Sequence, residues 1–96
     1  MTKRIRDFSF AVNPETAASI HDNGIVILHI GNGQLYASNG TGARIWHAVE
    51  EQLSLEAIAD EISDAYQIAR ATAREHVVCF LAELERHTLI QREAES

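Results

Sequence analysis

The sequence predicts an α+β domain of winged helix-turn-helix character, an N-terminal three-stranded antiparallel β-meander followed by three α-helices. Two observations carry this. The chain changes character near residue 40, where short apolar runs broken by glycine and asparagine give way to apolar residues at helical spacing, with only Gly42 left of the five glycines. Asp22-Asn23-Gly24 and Gly31-Asn32-Gly33 then separate the early runs with residues that tolerate positive φ, as tight hairpin turns require. With 96 residues the chain forms one domain, because neither half could bury a core alone.

The meander is read as strands over 16–21, 25–30 and 34–38, the middle one running Ile-Val-Ile-Leu-His-Ile. A short additional strand over 8–12 ends at Asn13-Pro14. Thr41 is the expected N-cap of the first helix, which runs to about Gln52 with Ile45, Trp46 and Val49 on one face. Gly42 suits a tight strand-to-helix junction, and Trp46 fills the core. Ser54 caps the second helix, whose stripe is Leu55, Ile58, Ala59, Ile62 and Tyr66, opposite a solvated acidic face of Glu56, Asp60, Glu61 and Asp64. Thr72 to Glu75 fits a capping box for the third helix, with Ala73, Val77, Phe80, Leu81 and Leu84 inward. Residues 88–91 add a short extended segment.

Composition narrows the function classes. A net charge of −6 opposes nucleic-acid binding, which draws on lysine and arginine against phosphates, and Lys3, Arg4 and Arg6 are a small basic cluster on an N-terminal tail. No secretory pattern follows Met1, and no apolar run approaches the ~20 residues of a bilayer span, so a cytoplasmic protein without a membrane partner is expected. Cys79 stands alone, in a helical pattern beside Val77, Val78 and Phe80, and is read as a buried, inert thiol. His21, His29, His47, His76 and His87 show no two-ligand metal spacing, although His76 and Cys79 lie three apart. No nucleophile elbow, P-loop or dinucleotide fingerprint is present, so no catalytic residue, metal or cofactor is assigned.

Several motifs occur in an ordered set: Asp22-Asn23-Gly24; Gly33-Gln34-Leu35-Tyr36; Asn39-Gly40-Thr41-Gly42-Ala43-Arg44-Ile45-Trp46; Leu55-Glu56-Ala57-Ile58; Phe80-Leu81 with Leu84; and Leu89-Ile90. This set, over about residues 10–92, resembles the PqqD-like family, also called RiPP recognition elements. These are small domains that bind leader peptides of ribosomally made, post-translationally modified peptides. Ser38 departs from the leucine often found before the asparagine, and His76 from an acidic residue common in the third helix.

The resemblance implies a stand-alone, non-catalytic adaptor whose partners are a precursor's leader peptide and a separate leader peptidase or peptide-modifying enzyme. Lasso-peptide assembly and radical-enzyme systems such as quinone cofactor synthesis are both settings for it. It also implies that the leader adds as an antiparallel strand between the third strand and the third helix. Gln34, Leu35, Tyr36, Ala37 and Ser38 would then supply main-chain hydrogen bonds, with either Leu35 and Ala37 or Tyr36 and Ser38 facing side-chain pockets. From the third helix, Arg74, Val77, Val78 and Leu81 are the expected site residues. Val77 and Leu81 also fit plain packing, whereas Val78 is apolar off the core stripe. The exposed edge could also pair two copies into a homodimer. The alternative function is a winged-helix DNA-binding regulator with a recognition helix over 73–86, but Glu75, Glu83 and Glu85 oppose its Arg74 and Arg86.

Overall fold

The computed structural model describes residues 9–93; the basic cluster of Lys3, Arg4 and Arg6, and Phe8 of the expected first strand, lie outside them. The elements run β1 (Ser9–Val12), β2 (Thr16–His21), β3 (Gly24–His29), β4 (Gln34–Ser38), α1 (Gly40–Glu50), α2 (Leu55–Tyr66), α3 (Arg70–Arg86) and β5 (Ile90–Glu93). The α+β class and the three helices hold. Four strands rather than three precede the helices, and a fifth follows.

The strands form two sheets. β2, β3 and β4 make the expected antiparallel meander, with Ile27 opposite Ala18 on one side and Tyr36 on the other. β1 instead pairs with β5, placing Val12 opposite Ile90 and Phe10 opposite Arg92. The turn at Asn13-Pro14 diverts the chain between the two sheets, and β1 thereby delivers Phe10 to the core beside Ile90, both buried.

Period-two alternation sorts the meander. Ile25 and Ile27 are buried, and their β4 partners Ser38 and Tyr36 share that face, which α1 covers. Val26, Leu28, Leu35 and Ala37 share the opposite face, where Leu35 is 69% exposed. The core joins Phe10, Ile25, Ile27, Trp46, Ile58, Ile62, Val77, Leu81, Leu84 and Leu89, so β1, β3, the helices and the segment entering β5 meet in one cluster. Tyr66 departs from the expected α2 stripe. It is 41% exposed and lies under the Arg44 guanidinium, 5.7 Å from its ring centre.

Helix starts depart from expectation twice. Asn39, not Thr41, caps α1: its Oδ1 accepts the Gly42 N–H at 3.0 Å, and Thr41 falls inside the first turn. The cap lies earlier because the helix begins directly after β4. Ser54 caps α2 as expected, accepting from the Ala57 N–H at 3.3 Å. α3 begins at Arg70, and Ala69 at the cap position offers no side-chain oxygen, so the Thr72–Glu75 box does not form. Its first turn is anchored from outside, by Arg70 reaching Glu56 (2.7 Å) and Asp60 on α2. The face read as solvated acid is therefore partly neutralised, and Arg74 adds a second bond to Glu56 at 2.8 Å.

All three helices stop in the same way without glycine. Gln52, Gln67 and Thr88 take left-handed φ of 64°, 56° and 58°. The residues after them, Leu53, Ile68 and Leu89, donate back to the carbonyls of Ala48, Ser63 and Leu84 and turn their side chains to the core. This is the Schellman arrangement, in which a six-to-one hydrogen bond and an apolar contact close the helix together.

Gly42 is required by close approach. A Cβ there would stand 2.7 Å from Ser38 Cβ and 3.0 Å from Phe80 Cζ, where real Cβ atoms do not sit without a shift. Gly42→Ala should therefore destabilise the domain by about 1–3 kcal/mol, as overpacking does, and a thermal melt within a degree of the parent would refute it. Glu56 supplies a pH-dependent contribution. Hydrogen bonds from Arg70, then Arg74, hold its carboxyl below the ordinary 4.5. A depressed folded value stabilises above the unfolded value and is lost as pH falls through the folded one. Glu56→Gln should cost less than about 1 kcal/mol near neutrality, since the pair is solvent-screened. That gap should shrink as pH falls below the ordinary carboxylate value and vanish once it has passed the lowered folded one, in acid titrations of stability; a gap constant down to the acid limit would show that the ion pairs contribute nothing.

Candidate functional site

β4 ends the order β2-β3-β4, so among the described residues its outer edge carries unpaired backbone donors and acceptors. α3 stands beside that edge without packing closely on it; the helix packs chiefly on α2 and also on β5. The approach is made by side chains. Tyr36, half-buried, brings its ring to 6.2 Å from Phe80 and 5.1 Å from His87, centre to centre. These distances suit tilted aromatic pairs. Phe80 also closes on Gly42, so the floor between sheet and helix is aromatic.

One flank of α3 forms the second wall. Phe80, Glu83 and His87 recur at i, i+3 and i+7, one stripe along the helix and its cap. Glu83 holds Arg86 at 3.0 Å and His87 at 3.4 Å. Burial, and then the Glu83 carboxylate, raise the Tyr36 phenol above its usual value, with Arg86 acting in the opposite sense. The phenol therefore keeps its proton near neutral pH, ready to donate a hydrogen bond.

The expected site residues divide. Gln34, Leu35 and Ala37 are exposed on β4, while Tyr36 and Ser38 are half-buried on the helix-facing side. Val77 and Leu81 are 0% and 2% exposed and belong to the core, the packing alternative of the two readings. Arg74 is already bonded to Glu56 across α2. Val78, 40% exposed, lies two residues from Phe80 and so about 200° around the helix. It shares a 230 Å³ pocket with Phe10, Leu55, Arg74, Leu81, Ala82 and Arg92, on the flank facing β1 and β5. A wider, open hollow of 600 Å³ over the outward face of α3 is lined by Val78, Cys79 and Phe80 among others.

Cys79 is exposed, not buried, because it stands two residues from both Val77 and Leu81 and so points away from them. Among the described residues, no three His, Cys, Asp or Glu side chains gather to hold a metal ion, and no helix is long and apolar enough to cross a membrane. Phe80, Glu83 and His87 were not singled out for the site in the sequence. Phe80 read as plain core and His87 as a scattered histidine, yet their spacing with Glu83 was the available signal.

The model of the family described as coenzyme PQQ synthesis protein D (PqqD) matches residues 24–90. A comparison with curated protein sequences finds no match. Among solved structures, TbiB1 in complex with the TbiA(beta) leader peptide superposes with a TM-score of 0.81 at 27% identity, covering 88% of this chain and 99% of that one. A lasso peptide synthetase B1 complexed with its leader peptide gives a TM-score of 0.77 at 22% identity, covering 84% and 95%. With its family model matched from the first hairpin turn into β5, and its fold shared with two leader-peptide complexes, the chain belongs to the PqqD family.

Proposed function

We propose that this protein is a non-catalytic, cytoplasmic adaptor that holds the leader segment of a ribosomally made precursor peptide and presents it to a separate leader peptidase or modifying enzyme. The free edge of β4 beside the Phe80–His87 flank of α3 is the observation that carries this reading. The leader-bound state of the two B1 proteins that share the fold supports it, and favours a lasso-peptide setting.

The leader adds antiparallel to β4. Gln34, Leu35, Tyr36, Ala37 and Ser38 supply the main-chain ladder, which is largely indifferent to leader sequence. Side chains of alternate leader residues point to opposite faces. One set lies with Tyr36 and Ser38 against Phe80 and Glu83, and the other with Leu35 and Ala37 on the uncovered face. Val77 and Leu81 act from beneath, holding α3 in place. Arg74 and Val78 line the open hollow over the outward face of α3 beside Phe80 and Glu83, and Arg74, bonded to Glu56 through its Nε alone, has further N–H donors for an acidic leader residue. A homodimer through β4 would occupy the same edge and compete with the leader.

The test is titration of the purified protein with a labelled leader peptide from the neighbouring precursor gene, with duplex DNA as control. Saturable peptide binding and none to DNA is expected; firm, salt-sensitive DNA binding without peptide binding would replace the adaptor with a transcriptional regulator. Two substitutions then locate the site. Tyr36→Ala should weaken leader binding at least about tenfold, as loss of a central aromatic anchor does. Val78→Glu should weaken it as well, because Val78 lines the open hollow over α3 together with Phe80 and Glu83. A loss for Tyr36→Ala with Val78→Glu unchanged would confine the leader to the Phe80–His87 flank of α3 and remove Val78 from the site. Hydrogen exchange provides a separate check: outward-facing amides of β4 should gain protection on binding, and unchanged exchange there would exclude strand addition.

A further inference from the structure

The groove has walls in two different units. One is the meander, and the other is α3 with the β1–β5 sheet, so some feature must set their separation. At the Tyr36–His87 end, Asn13 stands between them with both its main chain and its side chain engaged.

Its backbone N–H donates to the Leu89 carbonyl at 2.9 Å, extending the β1–β5 ladder by one bond. Its Nδ2 donates to the Thr88 carbonyl at 2.8 Å, immediately beyond the cap of α3 at His87. In the other direction its Oδ1 accepts the Glu15 N–H at 2.9 Å, and its carbonyl accepts the Thr16 hydroxyl at 2.7 Å. Glu15 leads directly into β2, which Thr16 begins, and the Glu15 carbonyl takes the Ile30 N–H at 2.7 Å just past the end of β3. The Nδ2 also lies 3.5 Å from His29 Nε2 at the end of β3, so one side chain joins the end of the helix to the base of the meander.

We propose that Asn13 is a positioning residue for peptide recognition, a strut that fixes the spacing of α3 and β4 where His87 meets Tyr36. The inference rests on the reading of this groove as the leader site. Asparagine suits the role because one side chain must donate to Thr88 and accept from Glu15 at once. Aspartate keeps the second bond and loses the first, placing a carboxylate oxygen against the Thr88 carbonyl oxygen, with His29 Nε2 3.5 Å away as the one group there, among the described residues, able to donate to it.

That difference makes Asn13→Asp the informative variant. It should bind the labelled leader peptide about tenfold more weakly than the parent. In NMR spectra it should lose the cross-peak between the Tyr36 and His87 rings while keeping that between Tyr36 and Phe80. Peptides shortened from each end in turn separate positioning from general weakening. Removing the residues over Tyr36 and His87 should weaken binding to the parent but no longer to the variant, whereas the opposite truncation should weaken both equally. Asn13→Ala, which removes the donor without opposing two oxygens, is read in the same way if the aspartate variant does not fold.

Parent-like affinity, an intact Tyr36–His87 cross-peak or equal loss for both truncations would overturn the strut. If the parent binds no leader at all, the adaptor reading fails and the recognition role with it. The ring cross-peaks still report then whether Asn13 sets the spacing.

Discussion

The placement of α3 is the constraint on which the rest of this domain depends. The helix turns Ala73, Val77, Leu81 and Leu84 into the common core, and each is at most 2% exposed. Its first turn is tied to α2 by Arg70, and Arg74 follows, while Glu85 near its other end takes Arg92 of β5 at 3.1 Å. These attachments draw α3 toward α2 and the two-stranded sheet. Among the described residues, the outer edge of β4 is therefore left with a helix for a neighbour and no strand, a combination that suits an incoming extended peptide better than a globular ligand.

The same placement explains how the sheets are used. Had β1 joined the meander, one of its edges would be occupied and β5 would have no partner. By pairing with β5 instead, β1 closes the core beneath α3 and, among the described residues, leaves the meander free at β2 and β4. β4 is the edge with an aromatic floor beside it, because Tyr36 faces α3 and meets both Phe80 and His87. Glu83 and Arg86 influence the same phenol, so charge and apolar surface converge at one point of the helix.

Much of this was legible in the residues, and what was not has identifiable causes. Alternation and two glycine-bearing turns gave the meander, and period 3.6 gave the three helices and most of their buried stripes. Pairing of β1 with β5 was hidden because it joins the two ends of the described chain, and local pattern carries no information about so distant a partner. Helix boundaries slipped where tertiary contacts replaced the local cap, as at Arg70, and where asparagine ahead of the threonine took the role at Asn39. On the site, the β4 segment could be read from its place in the meander. The helix contribution could not be reduced to an apolar-versus-polar division, because Phe80 packs against the core and also lines the outward hollow, while Val78, apolar off the core stripe, lines that hollow as well as the pocket beside Phe10.

The helix endings have a practical consequence for anyone engineering this domain. At Gln52, Gln67 and Thr88 the chain reverses through a strained left-handed residue, and the next side chain is seated among the core residues. Each short connection is thus fastened at a fixed count from the last helical turn, and one added residue would pull its anchor out of register. The hairpin tip at Asp22 and Asn23 is different, since both residues are exposed and neither side chain is part of the core. A reporter or affinity label belongs there, remote in sequence from the helix ends that hold the architecture together.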